Sequence, residues 1–201
     1  MNVQNHHGDT ALIVAIGKGN THLAELLVNR GAQLNLQNKL VITALIVAAG
    51  KFHVGQAELL VQRGADINMQ NNGGWTALMV ASQAGAKALA RQLIERGADI
   101  NVQSNDGRRT ALMIASNHGH DNLAELLVER GAVLNSQCDK GNTALMMASE
   151  DGHMAVAKLL VRFGALVDVQ NKDGKTALTL AVKNGKFKVA EMLVDRGADI
   201  N

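Results

Sequence analysis

The tripeptide Thr-Ala-Leu begins at residues 10, 43, 76, 110, 143 and 176. The step is 33 residues, except for one step of 34 that adds a residue in the Arg108-Arg109 loop. Gly-Ala recurs in the same phase, 21 residues after each Thr, at Gly31, Gly64, Gly97, Gly131, Gly164 and Gly197. Three residues past that Ala stands Asn35, Asn68, Asn101, Asn135, Asp168 or Asn201. A fixed period of this length makes each copy one supersecondary unit, which buries its apolar face only against its neighbours.

Each unit reads as two helices and a turn. The Thr hydroxyl suits an N-cap, since it accepts from free N–H groups of the first helical turn. A mostly apolar run of about two turns follows, closed in most copies by Gly19, Gly85, Gly119, Gly152 or Gly185. In the second helix Leu123, Leu126, Leu127 and Arg130 follow i, i+3, i+4, i+7, with Ala124 and Val128 beside them. So wide a stripe must touch both its partner helix and the next unit. Ala24, Ala57, Ala90, Ala124, Ala157 and Ala190 are the small residues that let helices approach closely. Arg30, Arg63, Arg96, Arg130 and Arg196 are expected in the last turn, where a cation suits the helix dipole. Gly8, Gly74, Gly107, Gly141 and Gly174 serve the reversal toward the next Thr.

The 33-residue helix–turn–helix unit resembles the ankyrin repeat. Thr-x-Leu-x-x-Ala, the segment Asn117-His118-Gly119-His120 and Gly97-Ala98-Asp99-Ile100-Asn101 carry the resemblance, which covers essentially the whole chain. It implies an all-α solenoid of six repeats with short β-hairpin loops, in a single array. The repeats run over 2–34, 35–67, 68–100, 101–134, 135–167 and 168–201.

Three departures from the family pattern stand out. The Pro usual after the Thr is Ala in every copy, and the chain has no Pro at all. Each such change costs roughly 0.4–1 kcal/mol through unfolded-chain entropy. The family's His two residues further on is Ile13, Ile46, Met79, Met113, Met146 or Thr179, so its hydrogen bonding is expected to be lost. The hairpin Asp is Asn5, Asn38, Asn71, Ser104, Cys138 or Asn171, which makes the hairpin face less acidic. The second unit is the odd one, with Val41 and Phe52 where other copies have turn glycines.

Composition narrows the function classes. With 47% apolar and 19% charged residues the chain is globular, and a net charge of +2 gives no argument for nucleic acid. One cysteine, Cys138, excludes an internal disulfide and fits an intracellular, cytoplasmic protein. Cys138 is expected to be exposed enough to oxidise. The early apolar run Ala11–Ile16 has no basic residues before it and recurs downstream, so it reads as structure rather than a signal core. No segment reaches the ~20 apolar residues of a membrane span. His118, His120 and His153 sit at or beside the Gly-His motif, where the imidazole is structural. His6 and His7 have no carboxylate partner. No P-loop, dinucleotide fingerprint or Gly-x-Ser-x-Gly is present. Catalytic, cofactor and metal sites are therefore expected to be absent.

The terminal units are as apolar as internal ones on their outer sides, through Leu12, Leu26, Leu27, Leu178, Leu193 and Val194. Arrays normally end in polar capping repeats. The expectation is a segment of a longer array, or ends that stack on a neighbouring chain.

The resemblance implies binding of a protein partner on the concave face of hairpin tips and first helices. The column before each Thr reads Asp9, Ile42, Trp75, Arg109, Asn142, Lys175. Leu40 and Ile42 on one finger, Trp75 on the next and Arg108 and Arg109 on the third are residue types that make interface hot spots. Trp75 has a second reading, in which it covers the stem of its own hairpin. The helix-end column contributes Lys51, Gln83, Asn117, His118 and Asp151, of mixed charge. Two other functions are weighed. Nucleic-acid binding through Lys18, Lys39, Lys51, Arg108 and Arg109 is disfavoured, because Trp75 is the one aromatic there for stacking. In a purely structural spacer no finger matters.

Overall fold

A computed structural model describes residues 2–200, so the repeat-phase Asn201 lies outside the described residues. The chain divides into two compact units, residues 1–99 and 100–201. The first contains α1 (Ala11–Gly17), α2 (Thr21–Asn29), α3 (Ala44–Gly50), α4 (Val54–Gln62), α5 (Ala77–Gln83) and α6 (Lys87–Glu95). The second contains α7 (Ala111–Asn117), α8 (Asp121–Glu129), α9 (Ala144–Asp151), α10 (Met154–Arg162), α11 (Ala177–Lys183) and α12 (Phe187–Asp195).

Within each unit the helices pair and stack. In the first, α1, α3 and α5 pack in series, and α2, α4 and α6 form the second layer. The second repeats this with α7, α9 and α11 against α8, α10 and α12. The Thr side chain caps every first helix. Thr10, Thr43, Thr76, Thr110, Thr143 and Thr176 are all extended, and each Oγ1 accepts from the N–H three residues on at 3.2–3.3 Å. Ala24, Ala57, Ala90, Ala124, Ala157 and Ala190 are buried, as the close approach of helix pairs requires.

The expected loss of hydrogen bonding at the family's His position holds in part. Ile13, Ile46, Met79 and Met113 are buried apolar side chains. In the sixth repeat Thr179 restores polar contacts: its Oγ1 accepts from Thr176 N at 2.8 Å and donates to Thr176 O at 3.0 Å. The arginines expected in the last turn stand one position beyond it. Arg30, Arg63, Arg96, Arg130 and Arg196 are the C-caps, because the left-handed Gly after each forces the helix to stop there.

The connecting loops form fingers, but none carries a strand among the described residues. One isolated bridge joins Gln4 and Thr10. Instead of a ladder, the finger backbone is satisfied by a few backbone bonds, such as Asn38 N to Ile42 O at 3.1 Å, together with side chains. Asn5, Asn38, Asn71 and Asn171 each use Oδ1 to accept two N–H groups, from residues two and four further on, at 2.9–3.0 Å. The amide that replaces the family's Asp thus folds the turn. In the fourth finger the inserted residue lengthens the turn: Arg108 N donates to Ser104 O at 3.1 Å, and Arg108 has φ 55°.

A second set of side chains ties neighbouring repeats together. In the first unit Asn2, Asn35 and Asn68 accept through Oδ1 from the N–H of Gln33, Asp66 and Asp99 at 2.9–3.1 Å. In the second, Asn101, Asn135 and Asp168 accept from Val133, Leu166 and Asp199 at 2.9–3.0 Å. Gln4, Gln37 and Gln137 donate from Nε2 to the carbonyls of Gln37, Gln70 and Gln170. Of the outer apolar residues expected on the terminal units, Leu26 and Val194 are exposed and Leu27 is half-buried. Leu12, Leu178 and Leu193 are instead buried, because they face their own helix partners rather than the open end. Val14, Leu23 and Leu26 are exposed on the first, and Val182, Phe187 and Val194 on the last.

Candidate functional site

The expected site residues fall in both units. In the first, Leu40 is at the finger tip, 63% exposed, and its N–H is held by Asn38 Oδ1 at 3.0 Å. Ile42 and Trp75 occupy the same place on successive fingers. Each is half-buried and each bonds through its N–H to its own finger's Asn, at 3.0 Å. The indole of Trp75 lies over its own turn. A Cβ at Gly73 would come within 3.2 Å of Trp75 Cδ1. The side chain therefore covers the stem and still shows part of its surface. Lys51 and Gln83, at the ends of α3 and α5, are exposed.

In the second unit Arg108 folds back on its own finger, donating from Nε and Nη2 to Gln103 Oε1 at 3.1 and 2.8 Å. Arg109 is half-buried, with its N–H on Ser104 Oγ at 3.1 Å. Asn117 and Asp151 meet: Asn117 Nδ2 donates to Asp151 Oδ2 across one repeat. His153 donates from Nε2 to Asn117 O at 2.9 Å, which gives this imidazole a structural partner. His118 turns back to the carbonyl of Ile114 at 3.0 Å and stacks on His120, with ring centroids 5.9 Å apart. Arg109, Asn117, Asn142, Met147 and Glu150 help line a hollow of about 340 Å³ on the finger side of this unit.

The column before each Thr is uniform in placement and varied in chemistry. Asp9, Ile42, Trp75, Arg109, Asn142 and Lys175 are all half-buried. Two of them also serve the fold, since Asp9 and Asn142 accept from the amides of Asn38 and Asn171.

Cys138 is 9% exposed, which corrects the expectation that it is open to oxidation. It takes the place of the turn-folding Asn, and that position points into the finger. The expected protein-binding set leaves out Phe52 and Lys39, the first noted only as a departure from the glycine pattern and the second only for nucleic acid. Phe52 is 59% exposed, with φ 61° where neighbouring repeats have left-handed Gly19 and Gly85. Its signal was present as a break in the glycine column. Among the described residues no group of three or more His, Cys, Asp or Glu side chains is placed to hold a metal, and no helix is long and apolar enough to cross a membrane.

A family model described as ankyrin repeats matches in three copies, over residues 1–71, 50–138 and 112–201. No curated protein matches the chain.

Proposed function

The chain belongs to the ankyrin repeat family, and from that premise we propose that it is a non-catalytic scaffold that binds a protein partner through its fingers and first helices. Ankyrin repeats are typically protein–protein interaction modules and typically non-catalytic. The observation that carries the reading is the column before each Thr. Six positions share one backbone role and one degree of burial, yet they hold an acid, an aliphatic, an indole, a guanidinium, an amide and an amine. Stacking fixes the frame, and these side chains are left to differ. In the first unit the binding residues are Leu40, Ile42, Lys51, Trp75 and Gln83. In the second they are Arg108, Arg109, Asn117, His118 and Asp151. An intracellular, cytoplasmic setting accompanies this reading.

The test is capture of partners from a lysate by the wild-type chain and by Trp75→Ala combined with Ile42→Asp, with thermal unfolding measured on both. Loss of a specific partner with the fold retained is the expected result. An unchanged set of captured proteins overturns the assignment of these fingers.

A further inference from the structure

Charge is distributed unevenly over the fingers and first helices. In the first three repeats, residues 2–20, 35–53 and 68–86 contain one acid, Asp9, and three lysines, Lys18, Lys39 and Lys51. The acid is engaged, since Asp9 Oδ1 accepts from Asn38 Nδ2 at 2.8 Å. The three lysines are exposed, and none forms a salt bridge among the described residues. The other acids of this unit, Glu25, Glu58, Glu95, Asp66 and Asp99, lie on the second helices or just after them. The corresponding segments of the last three repeats mix both signs, with Asp106, Asp139, Glu150 and Asp151 among their acids.

Two exposed apolar side chains stand directly beside two of these lysines. Leu40 follows Lys39 and Phe52 follows Lys51. They bracket α3, one before its start and one after its end, with a helix about 10 Å long between them. Phe52 also holds a left-handed backbone that an L side chain adopts only at a cost in stability. A large exposed ring in such a place does not serve the fold.

We infer that the finger and first-helix surface of the first three repeats takes an acidic protein segment carrying apolar side chains. The inference rests on the protein-binding reading above and names the partner's chemistry. Carboxylates meet Lys18, Lys39 and Lys51, and apolar groups of the segment cover Leu40 and Phe52. Unlike charge steers the encounter, and the apolar contacts hold the complex. A nucleic acid fits this surface less well, because Phe52 gives a base one open ring to stack on, Leu40 gives none and Trp75 is folded over its own turn.

The test is selection of random short peptides on the full chain, followed by titration of the selected peptide and of a random single-stranded oligonucleotide. The expected outcome is enrichment of Asp and Glu together with Leu, Ile or Phe. Lys18→Glu with Lys39→Glu and Lys51→Glu should then weaken the peptide about tenfold or more. Leu40→Ser with Phe52→Gly should weaken it too, while Phe52→Gly raises the unfolding temperature. Affinity and stability moving in opposite directions separates a binding role from a structural one. Enrichment of neutral or basic peptides, lost with Trp75→Ala and Ile42→Asp, overturns this inference and leaves the scaffold reading standing. Enrichment of no peptide overturns both. Salt-sensitive capture of the oligonucleotide without acidic peptides, lost on lysine reversal, overturns it in favour of nucleic acid.

Discussion

Asn68 accepts the backbone N–H of Asp99 through Oδ1 at 2.9 Å, and its Nδ2 donates to Gly97 O at 3.3 Å, so one side chain joins two successive repeats of the first unit. The same Oδ1 contact recurs from Asn2 and Asn35. Asn68→Ala removes both bonds at an exposed position where water replaces them. The expected cost is about 1 kcal/mol. Denaturant unfolding should show a lower midpoint with an unchanged slope.

The position after each Thr is ready for proline. Thr10 has φ −79° and ψ 164°, the extended conformation that a residue before proline adopts, and Ala11 is the first helical residue. Ala11 is exposed, so a pyrrolidine ring meets no packed neighbour. Ala11→Pro should stabilise the chain by roughly 0.4–1 kcal/mol through the unfolded state. Thermal unfolding checks this, and a fall in midpoint would show that the Ala11 N–H has a native partner.

The fold was legible because its signals are repeated. Thr-Ala-Leu, Gly-Ala and the Asn three residues on fix the phase of caps, stops and cross-repeat bonds, and all described copies take those places. Single-copy features were less readable. The sequence leaves Trp75 open between covering its own stem and facing a partner, and nothing local says that Arg108 spends its guanidinium on Gln103. Both depend on side-chain paths that the period does not set. The burial of Cys138 was not readable from its column, since Asn38, Asn71 and Asn171 there are half-buried and Asn5 is exposed. The hairpin expectation failed over strands because the Asn amides take backbone donors that a ladder would have used.

Val41 has φ 59° on a finger where Gly8 and Gly74 hold the same place. A β-branched residue in this region is strained. Val41→Gly should stabilise the chain by about 1 kcal/mol, the balance of left-handed strain against the added freedom of Gly when unfolded. The thermal midpoint should rise. A fall would mean that the Val41 side chain packs more than its half-buried position suggests.

The second helices differ in how they begin. Asn20 caps α2, its Oδ1 accepting from Leu23 N at 3.0 Å, whereas Ala86 leaves α6 without a side-chain cap. The backbones match closely, with φ −81° and ψ 86° at Asn20 against φ −78° and ψ 71° at Ala86. Lys87 also places a cation in the first turn of α6, where the helix dipole opposes it. Ala86→Asn should therefore gain roughly 0.5–2 kcal/mol. Hydrogen exchange of the Leu89 N–H should slow in the variant. An unchanged rate at that amide would mean that no cap forms.

Cys138 occupies a finger whose backbone closes as the others do. Cys138 N donates to Asn142 O at 3.0 Å and Gly141 N to Cys138 O at 2.8 Å, against 3.1 and 2.8 Å for the equivalent bonds at Asn38. At Asn38 the side-chain oxygen also accepts from Leu40 N and Ile42 N, and a thiol is a weak acceptor for such donors. Cys138→Asn should supply an acceptor to Lys140 N and Asn142 N and stabilise the second unit by about 1 kcal/mol. In the unsubstituted chain the buried sulfur should react slowly with a thiol reagent until denaturant opens the finger. Rapid labelling of the folded chain would show that the finger opens on its own. Loss of stability in Cys138→Asn would show that the space around the sulfur does not admit an amide.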